Sequence, residues 1–172
     1  MNHKRILFIS KGENAASTRY RGLCYFNALS SDGWEPEHIT VRDNPLFRLK
    51  LLKRANRADV VVILRKTFSA PYLSMLRLCS RHLVFDLDDA IFCRSNGAVS
   101  NTRRNRFARV AGSCRQIWAG NEYLAAESRR FNRAVTLLPT SLAPGKYMMD
   151  AEKPAENMDL VWIGRASCRE RV

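Results

Sequence analysis

The segment ADVVVIL, Ala58 to Leu64, ends in five apolar residues, four of them β-branched, and shows no alternation of polar and apolar positions. A strand has this texture when both of its faces are covered, as in the centre of a parallel sheet. Working outward, Arg5–Ser10 (RILFIS) is a second short apolar run, and His82–Asp86 (HLVFD) is a third that ends in an acid. Pro36–Val41, Gln116–Gly120 and Val135–Leu138 complete a set of six predicted strands.

Helical patterns alternate with these strands. Ser17 or Thr18 is placed to cap a helix that runs to about Ser30, before the Ser31-Asp32-Gly33 stop. Asn44-Pro45 opens the next helix, because proline is favoured at the first helical position. Further helices are expected over Ala70–Ser80, Asn101–Ala111 and Asn121–Phe131. Regular alternation of this kind predicts an α/β fold, a Rossmann-like doubly wound parallel sheet with right-handed crossovers. Ligands of such a sheet meet the C-terminal strand ends.

After Thr140 the texture changes. Residues 141–157 carry Pro144, Gly145 and Pro154 and read as a linker, following a first domain over 1–140. Met158–Gly164 (MDLVWIG) reads as the first strand of a second domain that is truncated. Residues 163–172 (IGRASCRERV) match the translation of a common short-read sequencing adapter and are read as that. Setting them aside removes three arginines and one glutamate and takes the net charge from +13 to +11.

The 172 residues are 46% hydrophobic and 26% charged, which excludes disordered and fibrous classes. No apolar run approaches the roughly 18 residues of a membrane span, and the run Ile6–Ile9 is too short for a signal peptide. The chain reads as cytoplasmic. Its five cysteines are scattered without a CxxC pair, and its three histidines stand near no second ligand type, so no metal site is expected.

Four strings carry chemistry. Lys11–Arg21 (KGENAASTRYR) is neither a GxGxxG fingerprint nor a P-loop, which argues against a dinucleotide dehydrogenase and a P-loop NTPase. A polar loop entering a helix with Arg19 and Arg21 in its first turn suits a phosphate or carboxylate, or else is a solvated cap. Phe85–Phe92 (FDLDDAIF) gathers three carboxylates at one strand end. It is similar to the first motif of the haloacid-dehalogenase phosphatases, which offers a Mg²⁺-dependent phosphohydrolase centred on Asp86 and Asp88 as an alternative. Ala90, the late position in the chain and the lack of a later acidic pair depart from that motif. Trp118–Leu124 (WAGNEYL) places Asn121 as a cap at another strand end. Asn44–Arg57 (NPLFRLKLLKRANR) interleaves leucines with Arg48, Lys50, Lys53 and Arg54, so it is either a surface helix packing its leucines on the sheet or a basic amphipathic helix on an anionic membrane. The Arg103, Arg104, Arg106 and Arg109 cluster adds to the same basic field, but no motif or aromatic platform for nucleic acid accompanies it.

Taken in order, Ala16–Arg21, Ala58–Val62, Phe85–Ala90, Ala119–Leu124, Leu138–Leu142 and Val161–Gly164 resemble the N-terminal domain of GT-B glycosyltransferases of the group 1/family 4-like class. The resemblance implies transfer of a sugar from a nucleotide-sugar donor to a glycan or lipid-linked acceptor, with no cofactor and no metal. It implies that the absent second domain holds most of the donor and that the fragment is inactive alone. It places Gly12, Ser17, Thr18, Arg19 and Arg21 near the donor phosphates, Asp86 and Asn121 on the acceptor side, and Asp88 and Asp89 as catalytic candidates. Apart from the resemblance, the concentration of positive charge in two helices and one loop favours a cleft, or a peripheral position on an anionic membrane surface at its inner face, over nucleic acid.

Overall fold

The computed structural model describes residues 4–94 and 96–141. The linker, late strand and tail read over 142–172 lie outside the described residues. Six strands form one all-parallel sheet: β1 Lys4–Ser10, β2 Trp34–Thr40, β3 Val60–Leu64, β4 Leu83–Leu87, β5 Gln116–Ala119 and β6 Val135–Leu137, in the order β2-β1-β3-β4-β5-β6. The α/β, Rossmann-like, doubly wound expectation is met. Pairing runs through Phe8↔Val62, Leu64↔Asp86, Asp86↔Trp118 and Ala119↔Leu137.

The strand period of two divides the core. Leu7, Ile9, Val61, Ile63, Leu83, Phe85, Leu87, Ile117 and Ala119 face one side. There they are covered by α3 Pro45–Arg57, α4 Ala70–Cys79, α5 Asn101–Ser113 and α6 Glu122–Arg129, through Leu51, Leu76, Phe107 and Leu124 among others. Ile6, Phe8, Val62, Leu64 and Val84 face the other side, packed with Phe26, Leu29, Trp34 and Trp118. That side carries the first crossover, α1 Ala16–Arg21, a 3₁₀ turn Leu23–Tyr25 and α2 Phe26–Ser31.

Two local expectations hold and one is corrected. The Asn44 side chain accepts the Leu46 amide at 2.9 Å ahead of Pro45, and Asn121 accepts the Leu124 amide at 2.9 Å. The helix read as continuous to Ser30 is instead broken at Gly22. It is also not capped by Ser17 or Thr18: Ala15 is the N-cap residue and makes no side-chain cap, while Ser17 and Thr18 are buried inside the first turn. The break follows from packing. A Cβ on Gly22 would lie 2.9 Å from the Thr18 carbonyl oxygen and 3.1 Å from Leu64 Cδ1, so only glycine lets the crossover press this close to β3.

Gly22→Ala should therefore destabilise by about 1–3 kcal/mol, as overpacking does. Gly12→Ala, whose Cβ would enter open space, should stay within about 0.5 kcal/mol. Urea denaturation of the two variants checks the contrast.

Candidate functional site

The first crossover, from β1 to β2, moves one way across the sheet. The next passes back over β1 to β3, and every later one continues in that direction. The order thus reverses between β1 and β3, and the crevice for a ligand opens outside their C-terminal ends. Five strand ends supply this edge: Ser10 and the Lys11–Ala15 loop, Arg65 after β3, Asp88-Asp89 after β4, Gly120-Asn121 after β5, and Leu138–Thr140 after β6.

Beneath the edge lies a buried ion pair. Arg21, on α1, donates from Nε to Asp86 Oδ2 at 2.8 Å and from Nη2 to Asp86 Oδ1 at 2.6 Å. Both side chains are almost fully enclosed, at 3% and 2% exposure. Nη1 also donates to the Leu138 carbonyl oxygen at 2.8 Å and to Thr140 Oγ1 at 3.0 Å. One guanidinium thereby ties α1 to β4 and to the exit from β6. Strand alternation explains the partner. Leu83, Phe85 and Leu87 face α3–α6, so Asp86 must face the α1 side. Burial pushes the Asp86 carboxyl up to about 6, against the opposing hydrogen bonds and charge of Arg21.

Asp88 and Asp89 have a different environment. They follow the strand and meet Arg65, whose Nη2 donates to Asp89 Oδ2 at 2.6 Å and whose Nε lies 3.6 Å from Asp88 Oδ1. Asp88 Oδ1 is enclosed yet has no hydrogen-bond partner. Burial raises the Asp88 carboxyl above the ordinary carboxylate range, opposed by the charges of Arg65 and Arg21. Arg65 holds a φ of +53°, in the left-handed region that non-glycine residues rarely occupy, while its amide donates to the Asp86 carbonyl oxygen at 3.0 Å. Strain of this kind clusters at functional sites. Gly120 completes the packing: a Cβ there would lie 3.2 Å from Asp88 Cα and 3.3 Å from the Leu87 carbonyl oxygen.

The β1 loop is pinned from below. The Gly12 amide donates to Ser10 Oγ at 3.0 Å, and the same oxygen lies 2.8 Å from His38 Nε2. The other His38 nitrogen is 3.6 Å from Glu13 Oε1. Gly12 borders open space, and Arg19 is exposed with its guanidinium 5.6 Å from the Tyr20 ring centroid.

The sequence-predicted residues are thus sorted by the fold. Asp88, Asp89, Gly12 and Asn121 lie at the C-terminal edge, while Arg19, expected in the first turn of its helix, is exposed in the last turn of α1. Ser17 and Thr18 are enclosed within α1, and Arg21 and Asp86 spend their polar atoms on each other and on the β6 exit, which leaves neither free to meet a phosphate or an acceptor. The short six-residue α1 also offers less dipole than a long helix would. The phosphohydrolase alternative loses its nucleophile, because Asp86 is enclosed and bound in both carboxylate oxygens. Among the described residues, no group of three or more His, Cys, Asp or Glu side chains could hold a metal ion. Sequence reading passed over Arg65, although it directly follows the clearest strand. It also passed over Ser10 and His38, for which no local signal exists.

No protein-family model matches the chain. No curated protein matches it either. Among solved structures it is similar to HepE of Anabaena, crystallised in complex with UDP and glucose, with a TM-score of 0.52 and 17% identity over 84% of this chain. The fold is that of one half of a GT-B glycosyltransferase. The chain spans about half of HepE, 46% of its length. Among the described residues no helix is long and apolar enough to cross a membrane.

The Asp86 environment sets a pH response with a definite sign. The folded state holds that proton more tightly than the unfolded chain, whose aspartates titrate near ~4. The contribution to stability is therefore full below about pH 4 and is lost as the pH rises through about 6. Urea unfolding should show the wild type losing roughly 2 kcal/mol between about pH 4 and about pH 7, relative to Asp86→Asn. A gain over that interval would mean that the Arg21 charge outweighs burial.

Proposed function

We propose that this chain is the acceptor-side half of a glycosyltransferase that moves a sugar from a nucleotide-sugar donor to a glycan or lipid-linked acceptor. The observation that carries the reading is the Arg65–Asp88–Asp89 cluster at the C-terminal edge of a sheet whose fold matches half of HepE. In this reading Asp88 is the group that takes the acceptor hydroxyl proton, since its carboxyl is raised above the ordinary range and its Oδ1, 3.6 Å from Arg65 Nε, has no hydrogen-bond partner. Arg65 holds Asp88 and Asp89 in place and keeps the edge from being wholly anionic. The exposed Lys11 and Arg19, with the open Gly12 backbone, face the donor phosphates, where cations and amides stabilise a departing diphosphate. Asn121 lies on the acceptor side. In this reading most of the donor is held by a second half; that the chain spans 46% of HepE supports the existence of such a half.

The test uses the parent protein with its downstream half, supplied with nucleotide sugars and membrane-extracted acceptors, and follows release of nucleoside diphosphate. Asp88→Asn should lower kcat by about 10²-fold or more with little change in the donor KM, and Arg65→Ala should lower it less. A downstream sequence that encodes anything other than a second Rossmann-like half, or full activity in Asp88→Asn, overturns the reading.

A further inference from the structure

One enclosed imidazole stands next to the candidate cleft without a part in the chemistry above. Along β2 the side chains alternate: Ile39 joins the core on the α3–α6 side, while Trp34 packs on the α1 side. His38 shares the parity of Trp34, and its Cα partner in β1 is Phe8, which also faces α1. Ser10, two residues beyond Phe8, points the same way. The strand period thus brings His38 and Ser10 together on one face, and both are enclosed, at 6% and 1% exposure.

The hydroxyl of Ser10 is the junction between this face and the loop after β1. Its Oγ accepts the Gly12 amide at 3.0 Å, lies 3.3 Å from the Gly12 carbonyl oxygen, and is 2.8 Å from His38 Nε2. The Gly12 carbonyl oxygen also accepts the Ala15 amide at 3.3 Å, which closes a four-residue turn with Glu13 and Asn14 at its centre. The Gly12 amide is therefore drawn inward, while the amides of Glu13 and Asn14 have no hydrogen-bond partner among the described residues. A serine hydroxyl turns to suit its partners. His38 is the partner that comes from a different strand, so it ties the orientation of Ser10, and through it the Gly12 peptide, to the sheet.

Ser10, His38 and Glu13 also stand in the order of a nucleophilic relay. The enclosure of Ser10 and its bond to the Gly12 amide leave the hydroxyl unavailable for attack, so the trio is not a hydrolase site. Glu13 contributes little, since its carboxylate is 74% exposed and lies 3.6 Å from the second ring nitrogen.

We propose that His38 is a positioning residue: acting through Ser10, it holds the Gly12–Ala15 turn in the conformation that receives the diphosphate of the nucleotide sugar. Successive outward amides in a turn suit an anion of that kind, and a small displacement of a ligand-holding loop has a large kinetic effect. The identity of the ligand rests on the glycosyl-transfer reading. The hold of His38 on the turn rests on the distances alone.

Two measurements test the proposal. In the 172-residue chain, amide exchange followed by NMR should be about 10-fold faster or more at Gly12 in His38→Phe and in Ser10→Ala than in the wild type. Val41, whose amide donates to the Ser10 carbonyl oxygen at 2.8 Å, should keep its rate. His38→Gln, whose side-chain amide can still bond to Ser10, should recover most of the protection at Gly12. In the parent protein with its downstream half, His38→Phe and Ser10→Ala should each raise the KM for the nucleotide sugar by about 10-fold, with the acceptor KM unchanged. The double variant should raise it no further, because both changes break the same chain of contacts. Unchanged exchange at Gly12, equal acceleration at Val41, a wild-type donor KM in His38→Phe, or additive effects in the double variant each overturn the proposal. A parent that turns over no nucleotide sugar, with Gly12 exchange responding as expected, overturns the glycosyl-transfer reading and the diphosphate with it, and supports His38 as the residue that holds the turn.

Discussion

The Arg21–Asp86 pair is the constraint around which the C-terminal edge of the sheet is arranged. Enclosing two charges costs several kcal/mol each unless geometry and further hydrogen bonds offset it. Here the carboxylate receives both of its bonds from one planar fork, and the two Nη1 hydrogens find the Leu138 carbonyl and Thr140. Asp86 fixes more than its side chain. Its carbonyl oxygen accepts the Arg65 amide, which turns the chain after β3 into the left-handed conformation and brings that guanidinium to Asp89. Two residues on, Asp88 packs under Gly120. The polar groups that reach solvent at this edge are therefore positioned by a pair that does not.

Much of the architecture is legible in the residues themselves. Runs such as VVVIL and RILFIS read as strands buried on two faces, and three of them among six strand-like segments separated by helical stretches leave few alternatives to a doubly wound sheet. Caps at Asn44 and Asn121 are local and read correctly for the same reason. The break at Gly22 is not local, since it depends on Leu64 lying against the helix. The roles of the three carboxylates were half legible. The period of two assigns Asp86 to the strand face, but its partner is 65 residues earlier, and nothing in one sequence links them. Arg65 is legible by the rule about strand ends, since it directly follows the apolar run of β3. In the basic helix, the sequence shows leucines and cations together, and only the fold tells which leucines face the core and which face out.

The likeness to HepE at 17% identity shows how little of a sequence such a fold requires. A fold of this class hosts many chemistries, so the weight of any functional argument rests on the edge residues and not on the sheet.

The reach of Arg21 also bears on how the chain acquires its structure. Its partners lie 65, 117 and 119 residues away, so the clamp cannot close until β4 and the β6 exit have both been placed. Contacts of such long range form late, after local crossovers have collapsed. During synthesis the guanidinium can reach Asp86 once β4 is in place, but its full set of bonds waits for the residues around Thr140 to leave the ribosome. The N-terminal unit of this protein is in that sense completed from its C-terminal end.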